Sequence, residues 1–332
     1  MSGQNLLKRA LLWTLLWGLS LVFLGCAQKN GPKNDMSHLA EVYRGHWQTP
    51  DGLVLPVRSW WPNQERPKAI IIAVHGFNDY GNAFKGAGVY FSSQGFALLA
   101  YDQRGFGLSP GFGNWAGDQA YIDDLDNLIR TIKRRYPESP LFILGESMGA
   151  AIAIACVTEA NPPPVEGVIL SAPAVWSRDL MPWYQSALLS MLAATAPGLE
   201  LTGSGLKIQA SDNIPMLRGL GEDPRVIKST RVDAIDGLTD LMDRGQERAG
   251  DIPVPVLVLY GEKDQVIPKG PVFSMIKKIP LTAKNKVALY PSGYHLLLRD
   301  LRADIPLKDM VSWVQNPLSP LPSGFEKPLP LH

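Results

Sequence analysis

The sequence predicts an α/β protein, a mostly parallel sheet with helices on both faces. Three observations predict it. Strand-like and helix-like segments take turns from residue 67 to residue 172, the pattern that builds parallel sheets. AIIIAVHG, after Pro67, and FALLAYD are continuously apolar, as strands buried on both faces must be. Leu141 to Ala160, LFILGESMGAAIAIACVTEA, reads as a buried strand, a sharp turn and an alanine-rich helix, with Ser147 at the apex of the turn. In such a sheet, functional groups fall in loops at the C-terminal ends of the strands.

Of 332 residues, 45% are hydrophobic, and 32 basic side chains nearly balance 31 acidic ones. The chain can bury a large core, so disorder is excluded for most of it. A nucleic-acid partner would call for a clustered basic excess, so none is expected. Lys8 and Arg9 precede an uncharged run, Ala10 to Gly25, which is too short to span a bilayer comfortably and reads as an export signal over residues 1–25. LVFLGC, ending at Cys26, resembles the bacterial lipoprotein signal. Cys26 would then be lipidated as the mature N-terminus and tie the chain to a cell-envelope membrane, facing the periplasm or the outside. An uncleaved anchor or a plain signal peptide are the alternatives, and both also export the globular part. Residues 26–40 are polar and rich in turn formers, and suit a linker. With Cys26 spent, only Cys156 remains, so no internal disulfide forms; on an apolar helix Cys156 reads as a small buried hydrophobe.

The core begins at residue 41. EVYRGHWQT and GLVLPVRSWWP suit a hairpin turning at Asp51 and Gly52. AIIIAVHG is the first buried strand, followed by a helix near 83–94, the strand FALLAYD, a helix over 118–136, the strand 141–145, the helix after Ser147 and the strand VEGVILSAP. PVLVLYGEKDQVIP and NKVALYP supply the last two strands. Asp102 and Arg104 are read as charges tying down a glycine-rich loop. Asp123, Asp124 and Asp126 are read as a solvated helix start without chemistry.

A serine hydroxyl is a weak nucleophile without a base, and the base needs a third group to orient it. Glycines two residues before and after Ser147 relieve the crowding of a strained turn that lifts its hydroxyl from the sheet. Asp264 and His295 each lie just past a strand's C-terminal end, on the sheet edge that carries Ser147. His38 and His332 lie in the linker and at the chain end, His46 in the hairpin and His75 in the loop after the first buried strand, so His295 alone fits the base. Glu262 and Asp300 rival Asp264 but are placed less well. Acyl transfer also needs two donors aimed at the developing oxyanion; the backbone N–H groups of Phe77 and Met148 are the candidates, and the helix that begins at Met148 adds its dipole.

HGF, DQRGFG, GESMG, GEKD and GYH, in this order and spacing, resemble the α/β-hydrolase superfamily over residues 41–315, and within it the monoacylglycerol lipase and lysophospholipase group. The resemblance implies an α/β-hydrolase fold, a mostly parallel eight-stranded sheet with helices on both faces and a helical cap. It implies Ser147 as nucleophile, His295 as base and then acid, Asp264 as its partner, Phe77 and Met148 as oxyanion donors, and no metal or cofactor. Where many relatives have a second glycine soon after HG, this chain has Phe77 and Asn78.

The core is expected to comprise 41–173 and 253–315, with the cap at 174–252. Leu180–Leu201 of the cap has Glu200 as its one charge; it either packs on the core or lines an acyl-chain pocket, with Trp176, Met181, Trp183 and Met191 as candidate lining residues. The charged stretch 207–251 suggests a solvated outer face. The proline-rich tail 316–332 reads as extended. The expected function is ester hydrolysis of a small lipid with one acyl chain. The alternatives are a proline-iminopeptidase-like peptidase that uses cap acids such as Glu222, Asp223 and Asp236, and a lipoprotein that binds without turnover.

Overall fold

A computed structural model describes residues 45–203, 205 and 208–329. The expected signal segment, Cys26, the linker and the start of the hairpin at 41–44 lie outside the described residues. In chain order the first strands are β1 (His46–Gln48), β2 (Val54–Trp60), β3 (Ile70–Val74), β4 (Ala97–Tyr101), β5 (Leu141–Glu146) and β6 (Gly167–Ser171). They are followed by β7 (Glu200–Thr202), β8 (Ser229–Arg231), β9 (Val256–Gly261), β10 (Lys286–Tyr290) and β11 (Glu326–Lys327). The helices are α1 (Lys85–Ser93), α2 (Asp118–Arg135), α3 (Met148–Val157), α4 (Trp183–Thr195), α5 (Ile214–Glu222), α6 (Val232–Arg248), α7 (Lys269–Lys278) and α8 (Asp304–Gln315).

Among the described residues the main sheet runs β1-β2-β4-β3-β5-β6-β9-β10-β11. The inner strands from β4 to β10 are parallel, with Ile72 of β3 between Leu99 and Ile143. The hairpin strand β2 lies antiparallel to β4, and β11 antiparallel to β10. The sheet therefore has nine strands, not the expected eight, because the tail folds back: Glu326 pairs with Ala288 and Lys327 with Val287. Proline density in the tail hid this short strand.

Every residue of β3, β5, β6 and β9 is buried, because successive side chains point to opposite, equally covered faces. Ile70, Ile72 and Val74 share one apolar cluster with Leu125 and Leu128 of α2 and Leu241 of α6. Ile71 and Ala73 share the other with Phe91 of α1 and Met310 and Trp313 of α8. All ten residues of α3 are buried, Cys156 among them, and burial pushes the Cys156 thiol pKa up, away from thiolate chemistry.

Asp102 accepts from the backbone N–H groups of Gly81 (2.9 Å) and Leu108 (3.0 Å) and from Arg58 (2.5 Å). Asp124 corrects the expectation of a solvated helix start. It is buried and receives Arg104 Nε at 2.7 Å, while the same guanidinium reaches Asp51 in the hairpin turn. A carboxylate is retained there because its charge is paired.

Between β6 and β9 the chain forms the cap: α4, β7, α5, β8 and α6, with β7 and β8 paired antiparallel. Its second part is less solvated than its charge suggested. Val232, Leu241 and Met242 of α6 are buried, and Gly245 lies against Ala151 of α3. The polar face of α6 holds the cap's entry, where Arg178 pairs with Asp236, Asp240 and Asp243.

Candidate active site

The turn between β5 and α3 is as tight as the glycine spacing required. Ser147 has φ 54°, a left-handed conformation unusual outside glycine. A Cβ at Gly149 would sit 2.0 Å from the Val74 carbonyl oxygen, and one at Gly145 would sit 2.5 Å from Ala150 Cα. Any side chain at either position would push the turn off the sheet. Ser147 is anchored by its N–H to the Ser171 carbonyl (2.9 Å), and its own carbonyl accepts from Ala174 (3.1 Å).

The loops after β9 and β10 deliver the partners. His295 Nε2 lies 3.0 Å from Ser147 Oγ, and Nδ1 lies 2.8 Å from Asp264 Oδ2. With a carboxylate facing Nδ1, that nitrogen carries the proton, so Nε2 accepts from the serine hydroxyl. Asp264 cannot swing away: its Oδ1 accepts from the N–H groups of Val266 (2.7 Å) and Ile267 (3.0 Å). The rival acids are occupied elsewhere. Glu262 pairs with Lys269 at 3.2 Å, and Asp300 accepts from the Ser211 hydroxyl (2.6 Å) and the Tyr294 N–H (2.8 Å).

The loop after β3 closes over the serine, where a Cβ at Gly76 would lie 3.3 Å from Ser147 Cβ. Phe77 follows, and Met148 opens α3 ahead of the helix's first local bond, from the Ala150 N–H to the Ser147 carbonyl at 2.9 Å. His75 is fully buried. Its Nε2 accepts from the Gln103 N–H (3.0 Å) and its Nδ1 donates to the Gly76 carbonyl (2.8 Å), so it holds the loop without facing substrate. Burial lowers its pKa below the ordinary 6.5.

A cleft of about 500 Å³ opens on Ser147 and His295. Trp176, Met181, Leu189, Ile235, Leu238 and Met242 supply apolar walls, all from the cap segment. Two of the four expected lining residues are thus present. Trp183 and Met191 instead face outward, 81% and 55% exposed. Glu222, Asp223 and Asp236 do not line the cleft; Asp223 is held by Arg225 and Tyr80, and Asp236 by Arg178.

The sequence reading missed the polar end of the cleft. Arg299 pairs with Asp79 (2.7 Å) and with Glu146 (3.0 Å), the residue before the nucleophile. This one guanidinium joins the histidine loop, the serine turn and the loop after β3. Burial pushes the Glu146 carboxyl pKa up. The one available signal was the charged pair Arg299 and Asp300 interrupting the apolar run LLLRDL. Among the described residues, no group of three or more His, Cys, Asp or Glu side chains is placed to hold a metal ion.

A family described as serine aminopeptidase, S33, matches residues 65–302, which include all three members of the Ser147, His295 and Asp264 chain. The chain belongs to that family. Among its relatives, the monoacylglycerol lipase of Mycolicibacterium smegmatis is 25% identical over 265 residues, 78% of this chain and 92% of that protein. The monoglyceride lipase of Rattus norvegicus is 25% identical over 298 residues, 87% of this chain and 93% of that protein. Among solved structures, the monoacylglycerol lipase of Paleococcus ferrophilus superposes with a TM-score of 0.66 at 24% identity, over 79% of this chain and 99% of that one. This S33-family chain has the α/β-hydrolase fold.

Proposed function

We propose that this chain, a carboxylic ester hydrolase, cleaves lipids with one acyl chain, such as a monoacylglycerol or a lysophospholipid, through an acyl-enzyme. The observation that carries the reading is the hydrogen-bonded chain from Ser147 through His295 to Asp264 at the floor of an apolar cleft of about 500 Å³. Ser147 Oγ attacks the ester carbonyl as its proton passes to His295 Nε2. Asp264 stabilises the imidazolium, and the N–H groups of Phe77 and Met148 receive the oxyanion. Collapse of the tetrahedral intermediate breaks the bond to the alcohol, which leaves with the histidine proton. Water, deprotonated by His295, then attacks the acyl-serine and releases the fatty acid.

Support for one chain and a small alcohol comes from the shape and polarity of the cleft. Its volume is that of a site for one small ligand, with apolar cap walls on one side and the Asp79, Glu146 and Arg299 cluster on the other. An aminopeptidase would need free carboxylates for the substrate's amino group; Asp79 and Glu146 share Arg299.

The test is an activity panel of acylglycerols, lysophospholipids and aminoacyl amides at several chain lengths. Esters with one chain should be turned over fastest, and preference for aminoacyl amides would overturn the substrate reading. Ser147→Ala should lower kcat on the order of a million-fold and abolish fluorophosphonate labelling; retained activity would sink the mechanism. The export and lipidation reading at Cys26 predicts that Cys26→Ser ends fatty-acid labelling of the full chain in a bacterial host and leaves residues 1–25 uncleaved. Unchanged labelling and an unchanged mature mass would refute it.

A further inference from the structure

The loop that carries the Phe77 N–H is gripped by the cap, and the grip falls on one residue. Asn78 has φ 64°, the left-handed region where glycine is at ease and asparagine is the best-tolerated substitute. Both of its polar ends are taken by the segment between α5 and α6. Its carbonyl accepts from the Ile227 N–H at 3.0 Å, and its side-chain Nδ2 donates to Thr230 Oγ1 at 2.7 Å. Two residues on, the Tyr80 hydroxyl donates to Asp223 at 2.6 Å, and the Arg225 guanidinium lies 4.9 Å from the centre of the Tyr80 ring. The gripping segment runs straight into α6, whose Ile235, Leu238 and Met242 wall the cleft.

We propose that Asn78 is a positioning residue through which the cap fixes the oxyanion loop: the Thr230 hydroxyl and the Ile227 N–H hold Asn78, and Asn78 holds the neighbouring Phe77 N–H toward the oxygen that becomes negative. A glycine here would adopt the same backbone, yet it would leave position 78 tied to the cap by its backbone bond alone, with the Tyr80 contact two residues away. Asparagine keeps the left-handed turn and adds the side-chain tether. An oxyanion donor works because it is oriented before charge develops, so a looser tether weakens transition-state binding while leaving the substrate's ground-state contacts in place. The inference rests on the hydrolase reading above and on Phe77 as a donor.

The test uses the full chain with p-nitrophenyl butyrate as substrate and an alkyl boronic acid as mimic of the tetrahedral state. Thr230→Val keeps the side-chain shape and removes the acceptor; Asn78→Gly keeps the turn and removes the donor. Each should lower kcat about tenfold while KM stays within about twofold. Boronate affinity should fall by the same factor as kcat/KM, and binding of a fatty alcohol should not change. Because both changes cut one bond, the double variant should resemble either single variant. A purely structural role would lower the melting midpoint without this split. Unchanged kcat in a folded Thr230→Val protein, losses that multiply in the double variant, or a rise in KM alone would overturn the coupling. If Thr230→Val does not fold, Asn78→Gly alone decides by the same split between kcat and KM. A wild-type chain inert toward every ester would overturn the hydrolase reading itself, whereas an active wild type with unaltered variants overturns only the coupling.

Discussion

His75 shows how a histidine in an active-site motif can serve the fold. It is wholly enclosed, donates to the Gly76 carbonyl and accepts from the Gln103 N–H, so a second proton would have no acceptor. Burial therefore depresses its pKa below 6.5 in the folded protein. The unfolded chain still takes up that proton near 6.5. The histidine's contribution is intact above that pH and is lost as pH falls from it toward the depressed folded value, at up to about 1.4 kcal/mol per pH unit. Glu146 acts in the opposite sense, since its raised pKa favours the folded state on acidification, so the comparison must be made between variants. The melting midpoint of His75→Gln should fall less steeply between pH 6.5 and 5.5 than that of the wild type; equal slopes would refute the assignment. Ser147, Asp264 and His295 were legible because each follows a strand and sits in a loop with its own local pattern. Arg299 was not, because its meaning lies in Glu146, 153 positions away, and a buried pairing of distant charges leaves no periodic trace.

At the scale of elements, α4 departs most from expectation. An apolar segment was expected to be covered, yet Trp183, Tyr184, Leu188 and Met191 are 81%, 56%, 52% and 55% exposed. Gln185 and Leu189, one turn apart, line the cleft on the other side. Tyr184, Leu188 and Met191 share a helical stripe, so α4 carries apolar residues on its outer side as well as Leu189 on its cleft side. That is why its pattern gave no direction in the sequence: a helix with apolar residues on opposite faces and only small or uncharged polar residues between them shows no preferred face. On the proposed single-chain lipid reading, a substrate dispersed in micelles or vesicles offers the outer stripe something to enter. Placing a charge there should therefore weaken encounter with the lipid surface and spare the chemistry. Leu188→Glu is expected to slow hydrolysis of vesicle-borne monoacylglycerol by about tenfold, the equivalent of about 1.4 kcal/mol of lost apolar transfer. Turnover of water-soluble p-nitrophenyl butyrate should stay unchanged. Equal loss on both substrates would show that the residue supports the cleft, not the surface.

The whole molecule turns on how its sheet ends. The parallel centre could be read from apolar runs, because buried strands concentrate β-branched residues. The closing edge could not, because β11 is two residues long and lies among prolines. Its hold comes from scattered contacts: Lys286 meets Glu326 at 2.6 Å, the Ser323 N–H reaches Asp309 at 2.8 Å, and Leu321 is 4% exposed. Asp309 also accepts from the Tyr290 hydroxyl at 2.7 Å, so the tail, α8 and β10 share one buried carboxylate. Without the tail, β10 becomes an open edge that carries unpaired backbone groups, a template for pairing with another chain. The loss of Leu321 burial alone costs roughly 2 kcal/mol, which in a domain of this size lowers the melting midpoint by roughly 3 °C. A chain ending at Asn316 should show at least that fall and should elute partly as higher-order species at concentrations where the full chain does not. Because the tail lies against β10 and α8 and contributes no residue to the cleft, kcat toward the soluble ester should persist in the fraction that remains folded. An unchanged midpoint would mean that the sheet does not depend on its ninth strand.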